Sequence, residues 1–266
     1  MMQTVPPARR RVVVCADDFG LSDAASRAIL ALGAASAITA TSVAVDGPAI
    51  DAHVAALRKL RPRLAVGLHL NLTENPHFAG SRSLGKWLLA TFLHQGLDRG
   101  ALAAEIRRQL DRFDTLFGAA PDFVDGHEHV HQFPVLRDLL LDAVVAGYGA
   151  RVAVRCTWPR HYRGAKAAVI GLLGARALQQ RLTSRGLTGN RDFAGVYDLK
   201  STGRYAARMD EWLRSIADGG LIMCHPEAPG ESTDPARAHE HAFLGSADWP
   251  RLLRSWNVVL TPFGTA

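Results

Sequence analysis

The sequence lacks long hydrophobic runs. Of its 266 residues, 48% are hydrophobic, yet no apolar stretch reaches the roughly 20 residues that a membrane-spanning helix needs. The amino-terminal residues, MMQTVPPARR, also lack the apolar core of a secretory signal. These absences predict a cytoplasmic protein without a transmembrane segment.

Cysteine is scarce as well. The three cysteines, Cys15, Cys156 and Cys224, are an odd number, and each lies in or beside an apolar run typical of a buried strand. Structural disulfides are therefore not expected.

Basic residues outnumber acidic ones, which gives a net charge of +6 and a pI of about 9.6. No nucleic-acid-binding motif accompanies this charge, so a nucleic-acid partner is not expected. Basic residues are concentrated in 151–185, around the apolar stretch 167–178. This pattern is compatible with a solvated helix face and with an amphipathic helix at a membrane surface. Peripheral membrane contact stays open, as does a homodimer.

Short apolar segments alternate with segments of helical periodicity along the chain. The predicted strands are 11–16, 41–45, 64–70, 123–124, 152–157, 221–224 and 258–261. The predicted helices are 22–32, 50–60, 102–116, 135–146 and 205–216. Several strands are apolar on both faces, as buried parallel strands are. The alternation predicts an α/β fold, a (β/α) barrel formed by one domain over residues 1–266. Residues 118–121 and 181–190 are predicted loops, and 73–83 a lid or substrate loop.

Polar side chains stand where four of the predicted strands end. Asp17 and Asp18 follow the first strand, His69 ends the third, the segment 125–131 follows the fourth, and His225 follows a late one. Because the carboxyl ends of parallel strands converge on one face of a barrel, these residues are expected to meet in one pocket.

Each of these features also has a purely structural explanation. An Asp pair can cap a helix, a single histidine can be a hydrogen-bonded core residue, and loop histidines can be solvated. Their combination favours a site for one divalent ion, built from Asp18, His69 and His127. Such mixed oxygen and nitrogen ligands suit magnesium or zinc, and also manganese or cobalt, and predict a metal-dependent hydrolase. Because consecutive residues at the end of a strand point in different directions, Asp17 and Asp18 need not share a task.

Four motifs at these positions resemble those of the YdjC-like carbohydrate deacetylases, a family that includes chitooligosaccharide deacetylases of the ChbG type and hopanoid-biosynthesis proteins of the HpnK type. They are CADDFGLS at 15–22, GLHLNLT at 67–73, DGHEHVH at 125–131 with Pro134, and CHP at 224–226. GKW at 85–87 also matches. The similarity extends from about residue 11 to at least residue 226.

The resemblance implies a distorted (β/α) barrel that removes the acetyl group from an N-acetylated carbohydrate substrate, a chitooligosaccharide or a lipid-linked sugar such as a hopanoid conjugate. It implies that Asp18, His69 and His127 bind the metal, that Asp17 is the general base and that His225 is the general acid. Three further residues are expected to orient these groups or bind substrate: Arg155, His129 and His131.

Two other functions remain open. A metal-dependent phosphoesterase would use the same ligands, and a basic cluster near the site would favour it. A sugar- or membrane-binding barrel without catalysis would retain the fold but lack turnover.

Overall fold

The computed structural model describes residues 9–198, 204–230, 232 and 234–264. It contains eight strands: β1 (Arg10–Phe19), β2 (Ala40–Val43), β3 (Ala65–Leu70), β4 (Phe123–Gly126), β5 (Ala153–Val154), β6 (Phe193–Ala194), β7 (Gly220–Cys224) and β8 (Val258–Leu260). Seven of them form one parallel path in the order β5-β4-β3-β2-β1-β7-β6, and β8 pairs with the first residues of β1. The sheet curls into the distorted (β/α) barrel that the sequence predicted.

Ten α-helices connect and cover these strands in the described residues. They are α1 (Asp23–Ala34), α2 (Ile50–Leu60), α3 (Leu84–Leu93), α4 (Arg99–Phe117), α5 (Leu136–Tyr148), α6 (Ala165–Ile170), α7 (Arg176–Ser184), α8 (Tyr205–Ser215), α9 (Pro235–Leu244) and α10 (Asp248–Ser255). A π-helical turn at Gly171–Ala175 joins α6 to α7. None of the described helices has the length and apolarity needed to cross a bilayer.

The sequence prediction was wrong at the start of the loop 181–190. Helix α7 continues to Ser184 because Leu178 and Leu182, one helical turn apart, pack into a small cluster beside β5. The sequence also gave no prediction for β6 and α3. Strand β6 is only two residues long, too short for a periodic pattern, and α3 is apolar on most sides.

Alternation along the strands separates the two sides of the sheet. On β1, Val12 and Val14 belong to the large core between sheet and helices, whereas Val13 and Cys15 belong to a second cluster formed mainly by strand residues inside the barrel. The interior contains small side chains such as Ala40, beside larger ones from other strands. The barrel interior is therefore filled with side chains below the carboxyl ends of its strands.

Candidate active site

Seven residues form one ring at the carboxyl ends of strands β1 to β7. Each of them is the first inward-facing position after the last interior residue of its strand. Two positions after an interior residue such as Cys15, Phe123 or Met223, the same face presents a polar group or glycine. In strand order β1 to β7 these residues are Asp17, Ser42, His69, Asp125, Arg155, Gly195 and His225. Strand periodicity therefore brings together residues that lie as much as 208 positions apart in the chain.

Asp18 faces the same cavity as Asp17, although neighbouring strand residues normally point to opposite sides. The pairing of β1 with β2 shifts register between Ala16 and Phe19, and Asp18 has a φ of 72°. Both features mark a bulge that turns the Asp18 side chain inward. Both carboxylates therefore line one cavity, as expected of residues at the strand ends, while they point to different partners. Non-glycine residues in this sparsely populated region cluster at functional sites, and aspartate tolerates the region better than most residues.

Asp18, His69 and His127 present three ligand atoms at nearly equal separations. His69 Nε2 lies 3.4 Å and His127 Nδ1 lies 3.2 Å from Asp18 Oδ1, and the two ring nitrogens are 3.3 Å apart. The three residues form a group able to hold a metal ion. Although burial opposes ionisation, hydrogen bonds from His127 and His69 hold the pKa of Asp18 well below its usual value.

The other ring nitrogen of His69, Nδ1, lies within hydrogen-bonding distance of two side chains. His69 Nδ1 lies 2.6 Å from Asp125 Oδ1 and 3.0 Å from Ser42 Oγ. Burial lowers the pKa of this imidazole, but the Asp125 carboxylate outweighs burial and raises the pKa to about 10. Asp125 therefore fixes a proton on Nδ1 and leaves Nε2 directed at the ligand group.

Arg155 neutralises a second cluster of potential ligands, formed by Cys15, Asp17 and Asp125. Its guanidinium binds both oxygens of Asp17 at 2.6 Å and lies 2.6 Å from Asp125 Oδ2. It also lies 2.9 Å from Cys15 Sγ. Since the guanidinium already supplies a cation there, this cluster has no need of a metal ion. Burial opposes ionisation of Asp17, but the charge and hydrogen bonds of Arg155 hold its pKa below the usual range.

His225 lies near Asp17, with Nε2 3.9 Å from Asp17 Oδ2. Burial lowers the pKa of its imidazole, so the ring is neutral at pH 7. Its backbone N–H donates to the carboxyl group of Glu240, which also accepts from Tyr197 Oη. Glu240 is fully buried, and burial raises its pKa to about 7.

The remaining histidines of the 125–131 segment occupy different places. His129 lines the cavity, and its ring packs edge-on against Phe193. His131 is completely buried outside the cavity lining, with Nε2 3.0 Å from the carbonyl oxygen of Arg155. Arg155 is equally inaccessible. Of the two roles expected for Arg155, the structure places it where it orients Asp17.

A cavity of about 740 Å³ opens above the ring. One side carries Asp17, Asp18, His69, His127 and His225. Another part of the lining, the apolar wall, consists of Leu84 and Leu88 of α3, Phe133, and Val169, Ile170 and Leu173 of α6 and the π-helical turn. The cavity thus combines a polar reaction site with this apolar wall. Residues 73–83 contribute no lining residue, so the predicted lid is connected to the site chiefly by Glu74, 3.7 Å from His127 Nε2.

Sequence reasoning gave no role to three residues that support the site. Asp125 carried a usable signal, because it lies two positions after the interior residue Phe123. Arg237 lies 3.1 Å from Asp18 Oδ2, and Glu240 holds the backbone of His225. Both are on α9, a helix that the sequence analysis did not predict, and no motif marks them.

The most similar curated relatives include chitooligosaccharide deacetylases of enteric bacteria. The protein of Escherichia fergusonii is 38% identical over 131 residues, which cover 47% of this chain and 52% of that protein. The protein of Salmonella typhimurium is 37% identical over the same length and with the same coverage. The chain thus matches about half the length of these relatives.

Two solved structures share the fold. A candidate cellobiose-phosphate cleavage protein from Enterococcus faecalis superimposes with a TM-score of 0.71 at 19% identity, over 96% of this chain and 98% of the other. The Bc1960 peptidoglycan N-acetylglucosamine deacetylase does so with a TM-score of 0.51 at 11% identity, over 97% and 88%. At these identities the similarity concerns the barrel alone.

The sequence profile of the YdjC-like protein family matches residues 11–255, which include every residue of the ring. From the four motifs, Asp17, Asp18, His69, His127, His129 and His225 line the cavity. The chain therefore belongs to the YdjC-like family.

Proposed function

We propose that the protein is a metal-dependent deacetylase that hydrolyses the N-acetyl group of a sugar to an amine and acetate. The observation that carries this proposal is the single cavity in which a three-residue ligand group, a buried carboxylate and a histidine face one another. Membership of the YdjC-like family and the naming of its relatives as chitooligosaccharide deacetylases support the choice of bond.

The ligand group fits a divalent ion. Bonds of about 2.0 Å in a tetrahedral arrangement place ligand atoms about 3.3 Å apart, and the three separations here are 3.2, 3.3 and 3.4 Å. Two imidazole ligands favour zinc or cobalt over magnesium, which prefers oxygen ligands. When bound, such an ion polarises the amide carbonyl and stabilises the negative charge that develops on its oxygen.

The two catalytic groups would divide the proton transfers. Asp17 stays ionised because of Arg155, so its carboxylate can accept a proton from the attacking water. His225, neutral at pH 7 and 3.9 Å from Asp17, would receive that proton and donate it to the departing nitrogen. The proton lost by water thus ends on the amine, and the hydroxyl oxygen ends in acetate.

The apolar wall favours a sugar that carries an apolar group. Leu84, Leu88, Ile170 and Leu173 offer no hydrogen bonds to carbohydrate hydroxyls. A glycolipid, of which a hopanoid conjugate is one form, would place its sugar at the ring and its apolar part along this wall. A chitooligosaccharide is the alternative substrate.

Acetate release tests the proposal directly. Purified protein is analysed for bound metal, then assayed with N-acetylated oligosaccharides, N-acetylated glycolipids and phosphate esters before and after dialysis against a chelator. We expect acetate release that the chelator abolishes and added metal restores, with the glycolipid turned over faster. Hydrolysis of phosphate esters alone would favour the phosphoesterase, and metal binding without any turnover would favour a non-catalytic barrel. The basic residues on which the phosphoesterase alternative would depend are Lys166 and Arg237, which line the cavity.

Variants of the two neighbouring carboxylates separate their roles. We expect Asp17→Asn to retain the metal and lose about 10²- to 10⁴-fold in rate, because an amide cannot accept the proton. Asp18→Asn should instead lower metal content, as should His127→Ala, whereas His129→Ala and His131→Ala should retain the ion. If the Asp17→Asn protein lacked metal and the Asp18→Asn protein contained it, the two assignments would have to be exchanged.

A further inference from the structure

Large apolar side chains are exposed beside the mouth of the cavity. Seven large hydrophobic residues are exposed among the described residues, and five of them lie on α3 or on α6 and its π-helical turn. These five define the apolar rim: Leu89 (64% exposed), Phe92 (43%), Leu93 (53%), Val169 (54%) and Leu172 (74%).

The two parts of the apolar rim flank one opening. Leu84 and Leu88 of α3 line the cavity, as do Val169, Ile170 and Leu173 on the other part. The ring of Phe92 packs edge-on against Phe133, a cavity residue, with ring centroids 6.2 Å apart. The exposed surface is therefore continuous with the apolar wall of the cavity, and no packing among the described residues covers it.

The sequence around the apolar rim contains no acidic residue. Residues 75–97, which include α3, and residues 143–191, which include α6 and α7, have Arg and Lys but neither Asp nor Glu. Lys86, Lys166 and Arg176 are exposed beside the rim residues in sequence. Within these two segments every Lys, Arg, Asp or Glu is a cation, and apolar residues interspersed with cations suit the interface of an anionic bilayer.

We propose that the apolar rim binds the surface of an anionic lipid membrane and directs the mouth of the cavity toward it. Leucine and phenylalanine side chains would enter the acyl boundary while Lys86 and Arg176 contact headgroup phosphates. A second copy of the chain fits less well, because two such faces would bring like charges together.

Vesicle binding tests this proposal without any turnover. Wild-type protein is sedimented with phosphatidylglycerol vesicles and with phosphatidylcholine vesicles, at low salt and at about 0.5 M NaCl, where charge is screened. We expect binding to the anionic vesicles at low salt that high salt reduces. Absence of binding to phosphatidylglycerol vesicles at low salt would overturn the proposal, whether or not the protein is a deacetylase.

Matched variants locate the binding face. The double change Leu89→Asp and Leu172→Asp should lower vesicle binding about tenfold or more. Val145→Asp, at an exposed position on α5, is the control and should bind as the wild type does. A second pair, Lys86→Gln and Arg176→Gln, adds no charge to an apolar surface and should also weaken binding about tenfold.

Three outcomes would refute the assignment of this face. In the first, both double variants bind vesicles as well as the wild type does. In the second, the Val145→Asp control loses as much vesicle binding as the double variants do. In the third, light scattering shows that the wild type is a dimer and that the Leu89→Asp and Leu172→Asp changes dissociate it. Thermal unfolding shows that each variant is folded. Hydrolysis of a water-soluble N-acetyl sugar, measured in parallel, should be unchanged in the Leu89 and Leu172 variant.

Discussion

Replacing Asp125 by asparagine should change how metal affinity depends on pH. The Asp125 carboxylate, 2.6 Å from His69 Nδ1, raises the pKa of His69 to about 10. In the free protein His69 is therefore doubly protonated at pH 7, and a metal ion must displace the proton on Nε2. Displacing it at pH 7 lowers the apparent affinity about 1000-fold, or about 4 kcal/mol.

Two opposite effects follow from Asp125→Asn. The amide removes the negative charge, so the pKa of His69 falls and competition by the proton disappears at neutral pH. The amide also holds the ring less firmly, which costs about 10- to 100-fold in affinity. We expect wild-type affinity to rise about tenfold per pH unit between pH 6.5 and 8.5, whereas that of Asp125→Asn is nearly constant once the pH exceeds its lowered pKa.

Competition with a coloured chelator measures these affinities for Zn²⁺ or Co²⁺ across that range. Calorimetry in buffers of different ionisation enthalpy measures proton release, expected near one proton for wild type at pH 7 and near zero for the variant. Ser42→Ala is the control, because it removes the contact of Ser42 Oγ with His69 Nδ1 at 3.0 Å and leaves the carboxylate. A wild-type affinity that does not vary with pH would show that His69 is neutral before metal binds, and would refute the argument.

Two further predictions concern stability. Burial raises the pKa of Glu240 from its ordinary 4.5 to about 7. Because the folded-state pKa lies above the unfolded value, the free energy of unfolding should fall as the pH rises from 4.5 to 7, by up to about 3 kcal/mol. Urea unfolding should show this loss in wild type and not in Glu240→Gln; equal slopes would contradict it. Arg155→Met leaves the Asp17 and Asp125 carboxylates buried without a cation and should cost about 3–5 kcal/mol at pH 7. The cost should shrink toward pH 4 as these carboxylates bind protons, and a cost independent of pH would indicate lost packing instead.

The barrel was predictable because most of its strands are apolar on both faces and because helices of ordinary length separate them. The positions of Asp17, His69 and His225 were predictable for the same reason: each follows an apolar run that ends at one edge of a parallel sheet. Short elements were not. Strand β6 has only two residues, and Gly195, which follows it, has a φ of 105° at a position where a Cβ would collide with the backbone of Met223. No periodic pattern indicates such a position.

Long-range electrostatic contacts were the other part that the sequence could not predict. The ion pair of Arg155 with Asp17 joins residues 138 positions apart, and that of Arg237 with Asp18 joins residues 219 apart. Such pairs depend on how the strands stagger around the barrel, which periodicity within one strand does not determine. The bulge at Asp18 is similar, since only the pairing with β2 reveals it.

The two adjacent carboxylates show how the fold gives like residues unlike chemistry. Asp17 keeps the regular inward direction of β1 and meets Arg155, which holds it ionised and fixed. Asp18 reaches the same cavity only through a left-handed residue at the bulge, and meets two histidines and Arg237 instead. Because each carboxylate is neutralised by its own partners, two negative charges can lie side by side in a buried site. Under the proposed function one would move a proton and the other would bind a cation, and the bulge at Asp18 is what gives the two carboxylates different partners.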